Sequence, residues 1–143
     1  MLGIIFSIVA GAAMSFQGVM NTRLGDRIGL YESNVLVQGI AFALSLITML
    51  LVGKGNFGAL GSTNKIYLLG GVLGVVITVT VMLAIQKQGP TVAISIILIS
   101  QLLVAALIDA FGLFESERIP FCWQKYGGIA LMVAGVLLFK WKI

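Results

Sequence analysis

Gln17 and Asn21 stand one helical turn apart in the run AAMSFQGVMN, Ala12 to Asn21, which is otherwise almost pure hydrocarbon. On a helix they share an arc of roughly 60° with Ala10 and Met14. An amide facing lipid lacks hydrogen-bond partners, at a cost of about 2–7 kcal/mol. The pair must therefore face protein or water, either as glue between helices or as ligands for a polar solute. Asn21, near the end of the apolar run, also suits a helix end. A second set is Ser100, Gln101, Ala105 and Asp109, the last three at i, i+4 and i+8. Asp109 is the only acid inside an apolar run. It suits a surface pair with Arg118 or Lys125, or a coupling or gating role for a group that solute and proton can both sense. Asn34 and Gln38 repeat the amide spacing at the start of the next run, where solvation at the membrane edge is the expected role.

Other chemistry is poorly supplied. The chain has no histidine and a single cysteine, Cys122, so it offers no His relay, intrachain disulfide or Cys/His metal site. No nucleophile stands with a base and no phosphate loop is present, while Glu115 and Glu117 read as a solvated loop. The expectation is therefore no enzyme, no metal and no cofactor.

The elements that must position these residues follow from composition. Of 143 residues, 59% are hydrophobic and 10% charged, where a soluble domain carries about a quarter charged residues. Such a chain cannot cover itself with polar surface in water, so the expected solvent is a lipid bilayer. Five runs are long enough to span it, or nearly so, as helices: 2–20, 34–52, 66–85, 91–111 and 123–139. Charge gathers between them: Arg23, Asp26, Arg27 and Glu32, then Lys54 to Lys65, then Lys87 before the Gly89-Pro90 turn, then Glu115 to Lys125 including Pro120. Lys140, Trp141 and Lys142 suit an interfacial anchor at the end, and Trp123 an opposite belt. The net charge of +4 sits at the ends of apolar runs, which points to snorkelling and away from nucleic acid. Ala10-Gly11-Ala12 looks like a signal cleavage site, but no basic residue precedes Leu2 and four further apolar runs follow, which argues against cleavage.

With five spans the termini fall on opposite sides. The amino-terminal face then holds Lys54, Lys65, Arg118 and Lys125, and the other holds Arg23, Arg27, Lys87, Lys140 and Lys142. Four basic residues against five leave two readings open: a weakly fixed orientation with the carboxyl terminus inside, or insertion both ways. Small residues form stripes, Gly3, Ser7, Gly11 and Gly18 in the first span, Gly70, Gly71 and Gly74 in the third, and Gly127, Ala130 and Ala134 in the fifth. These suit close helix packing, and the fifth-span stripe suits a dimer interface.

The run SFQGVMNTRLG resembles the opening motif of the YdcZ-type family of inner-membrane exporters, in the drug/metabolite transporter superfamily. ISQLLVAALIDAFGLFESERIP resembles that family's fourth-helix signature, and YGGIALMVAGVLL the last helix of the superfamily's half-repeats. Gln17, Asn21, Leu24, Gln101, Ile108, Asp109, Phe111 and Gly112 match, and Ser100 stands where glycine is usual. The resemblance covers essentially the whole chain. It implies an all-α, multi-pass protein of the bacterial inner membrane, half of a ten-helix fold built from two inverted five-helix repeats. The even charge split then suits an antiparallel homodimer, or pairing with a second homologous chain. The expected function is secondary export of a small solute by alternating access. Gln17, Gln101 and Ser100 would line the cavity, with Asn21 and Asp109 near its mouths. The rivals are a passive pore, or a non-transporting subunit of an enzyme or lipid-handling complex.

Overall fold

The computed structural model describes residues 1–119 and 122–141. Pro120 and Lys142, expected in a connection and as a terminal anchor, lie outside them. The elements run α1 (Leu2–Ile28), α2 (Leu30–Val52), two 3-10 turns (Phe57–Gly61 and Lys65–Leu68), α3 (Leu69–Gln88), α4 (Pro90–Phe111), a 3-10 turn (Leu113–Glu115) and α5 (Trp123–Lys140). No strand occurs among the described residues.

The expected ends of α4 and α5 hold to within one residue. The first three helices correct the expectation: α1 continues eight residues past Met20, α2 begins four before Asn34, and α3 runs three residues later than 66–85 at both ends, its expected start being a 3-10 turn. Arg23, Asp26, Arg27 and Glu32 therefore ride on helices and do not fill a connection. Charge ends the apolar run, but the backbone ladder continues wherever the residues tolerate a helix. At 27 residues α1 is roughly 40 Å long, more than the roughly 30 Å of hydrocarbon it needs to cross.

The ladder stops at Gly29, at φ 106° and ψ 148°. Its N–H donates to the Gly25 carbonyl at 3.0 Å, and its own carbonyl accepts from the Ser33 N–H at 3.0 Å. One residue thus closes α1 and opens α2, in a conformation open essentially to glycine alone. At the far end of α4, Gly112 takes the left-handed conformation (φ 63°) and donates to the Ile108 carbonyl. The Arg118 Nε donates to the Ala110 carbonyl at 3.2 Å, placing a cation on the negative end of α4.

Among the described residues, four elements are long and apolar enough to cross a membrane: Leu2–Ile28, Leu30–Val52, Lys65–Gln88 and Pro90–Phe111. In α5 the opening Trp123-Gln124-Lys125-Tyr126 dilutes the apolar run. The buried apolar residues among those described are few, Met82, Ile85, Ala93 and Ala106. Phe6, Phe42, Leu50 and Leu131 point outward, as side chains that meet lipid or another helix do. Several span hydroxyls are satisfied within their own helices: Thr22 Oγ1 donates to the Gly18 carbonyl at 2.7 Å and Ser95 Oγ to the Thr91 carbonyl at 2.7 Å. The chain divides into two compact units, Met1–Gln86 and the segment from Lys87 onward.

Candidate functional site

In the first unit the polar residues collect where α1, α2 and α3 meet. Gly18 and Gly25 let α3 close on α1. A Cβ built at Gly18 would lie 3.0 Å from Ile85 Cδ1, and one at Gly25 would lie 2.8 Å from Met82 Cε. Beneath this contact Asn21, Thr22, Ser33 and Asn34 are all buried. Ser33 Oγ donates to the Asn21 carbonyl at 3.2 Å, joining α2 to α1. At the rim Gln86 Nε2 donates to Asp26 Oδ1 at 2.7 Å, tying the end of α3 to α1.

Asn34 is the odd member. It is 7% exposed, and its Oδ1 is buried without a hydrogen-bond partner. Edge solvation, the role its place in the sequence suggested, is therefore wrong. With α2 beginning at Leu30, Asn34 is the helix's fifth residue and is buried. The hydroxyl protons of Thr22 and Ser33 are spent on backbone carbonyls, so both present only lone pairs to anything else. The Asn34 Oδ1 is left as an acceptor with no donor from these neighbours.

Asn21 belongs to this cluster, but Gln17 does not share its burial and is exposed. Gln38, one turn beyond Asn34, is half-buried against α3, its Nε2 3.7 Å from where a Gly74 Cβ would be. Of the third-helix stripe, Gly74 meets α2 while Gly70 faces open space.

In the second unit α4 packs on α5 around a cleft of about 390 Å³, lined by Leu102, Ala105, Ala106, Asp109, Lys125, Gly128, Ile129 and Met132. Asp109 Oδ2 lies 3.9 Å from Lys125 Nζ. Of the two cations within reach in the sequence, the structure pairs Lys125 with the carboxylate and gives Arg118 to the end of α4. Ser100 and Gln101 are exposed. Ala130 and Ala134 are also exposed, and a Cβ at Gly127 would meet nothing within 4 Å, so the fifth-helix stripe faces away from α4.

Sequence reasoning missed Thr22, Ser33 and Asn34 as a buried group. The available signal was the density of small polar residues from Asn21 to Asn34, which reads equally well as a solvated loop.

A family model described as "Putative inner membrane exporter, YdcZ" matches residues 2–138. No curated protein and no solved structure matches the chain.

Proposed function

The chain belongs to the YdcZ family, and on that premise we propose that it is a secondary exporter of a small polar solute, working by alternating access between two copies. As a member it is a multi-pass protein of the inner membrane, and in this reading α5 is its fifth span. The observation that carries the reading is the buried, unpartnered Oδ1 of Asn34. A buried acceptor without a donor costs about 1–3 kcal/mol, and a solute bearing an N–H or O–H recovers that energy. Asn21 shares this polar end of the first unit. Gln17, Ser100 and Gln101 supply amides and a hydroxyl to the space between copies, because exposed amides in hydrocarbon need a polar neighbour. The Asp109–Lys125 pair, joining α4 to α5, acts as the gate.

Two copies suffice if they insert in opposite directions, which the even distribution of basic residues favours. The outward-facing Gly127, Ala130 and Ala134 then let the fifth helices approach. A cysteine placed in the carboxy-terminal tail of a Cys122→Ser protein should label from both sides of the membrane. Labelling from one side alone would exclude the antiparallel pair and require a second homologous chain.

The function itself is tested in two steps. A thermal-shift screen of polar solutes against the purified protein identifies a stabilising solute. That solute, loaded into proteoliposomes, should then show saturable counterflow. Flux that rises linearly with concentration indicates a pore, and absence of flux with every stabilising solute indicates a subunit of a larger complex.

A further inference from the structure

The α4–α5 cleft combines two chemistries at two depths. Asp109 is two residues before the end of α4, and Lys125 is the third residue of α5, so both charges stand at one end of the helix pair. The other lining residues run away from that end, to Leu102 on α4 and Met132 on α5. Each is seven residues from its charged neighbour, roughly 10 Å along the axis. The wall between is apolar, and Gly128 leaves it open, since a Cβ there would meet nothing within 4 Å. Trp123 and Tyr126, exposed on the first turns of α5, set this end at headgroup depth. The charges therefore lie level with lipid headgroups, and the trough lies level with acyl chains.

The charges also point to the occupant. They are opposite in sign, 3.9 Å apart, and their side chains are 30% (Lys125) and 41% (Asp109) exposed. An apolar helix laid over the cleft would strip water from both and return no hydrogen bond. A headgroup carrying an ammonium and a phosphate answers each charge with its opposite. We infer that the α4–α5 cleft binds one bilayer phospholipid with a primary-amine zwitterionic headgroup. Its ammonium lies on Asp109, its phosphate on Lys125 and one acyl chain in the trough. A primary ammonium donates hydrogen bonds to a carboxylate and a trimethylated one cannot, while an anionic headgroup sets like charge against Asp109. Because the headgroup engages both members of the proposed gate, the bound lipid would bias that gate. The binding itself does not depend on the exporter reading.

Native mass spectrometry of the purified full chain tests this without any transport measurement. Phosphatidylethanolamine, phosphatidylcholine and phosphatidylglycerol with identical acyl chains are added in equal amounts. The wild type should retain one phosphatidylethanolamine per chain, about tenfold over the other two, the ratio that corresponds to one charge-assisted hydrogen bond. Asp109→Asn should remove the preference over phosphatidylcholine. Gly128→Leu, which fills the trough with both charges intact, should reduce retention of all three lipids. Equal retention of the three by the wild type, preference for phosphatidylglycerol, or no retained lipid would each overturn the proposal. So would a preference unchanged in both variants. Should Asp109→Asn fail to fold, the wild-type competition and Gly128→Leu decide the matter between them.

Discussion

Asn34→Leu should make the protein more stable and stop it from transporting. Leucine keeps asparagine's branching at Cγ, is bulkier by its two methyl groups, and has no acceptor to leave unpaired. Part of the approximately 1–3 kcal/mol associated with the buried Oδ1 should therefore return to the fold, the rest being offset by the added bulk. The same change removes the acceptor that a donor-bearing solute would use. A higher thermal midpoint in detergent together with lost counterflow is the expected pair of results. A lower midpoint would mean that Oδ1 is satisfied by an ordered water and that Asn34 is a structural residue. Full counterflow would remove Asn34 from the solute path. Losing function while gaining stability is characteristic of a site that keeps a polar group unsatisfied until its ligand arrives.

Gly29→Ala should act in the opposite direction, through the backbone. At φ 106° and ψ 148° an L-residue is strained by about 1–3 kcal/mol. The new Cβ would also run into the Glu32 carboxylate, which is exposed and can swing aside. The backbone strain cannot be relieved in that way, because the Gly29 N–H and carbonyl are both committed to helix bonds. Relaxing φ would shift α2 against α1 and break the Ser33–Asn21 contact. The thermal midpoint should fall, and counterflow should weaken along with it. Gly39→Ala provides the comparison: Gly39 lies within α2 in open space, where alanine favours the helix by up to about 1 kcal/mol. Equal midpoints for the two variants would show that the junction bears no strain.

Membrane residence and helical class follow from the sequence itself, because hydropathy and span length are properties of contiguous residues. The apolar runs of α4 and α5 end where Pro90, Gly112 and Trp123 change the local chemistry, and the helices end there too. The family was legible in the same way, from two local motifs. The ends of α1 and α2 were not, because Arg23 to Arg27 end a hydrophobic run without ending a hydrogen-bonded ladder. Only Gly29 does that, and nothing in its neighbours distinguishes it from Gly25, four residues earlier and inside α1. The site depended still more on tertiary structure. Arg118 and Lys125 were equal candidates for Asp109 until packing set α5 beside α4 and brought Lys125 within 3.9 Å. Asn34 read as an edge residue because residues just before it in sequence are polar, whereas the packing of the first unit buries it. Whether a polar atom is buried and unpaired depends on what arrives from distant parts of the chain, and residue order encodes that only through the completed packing.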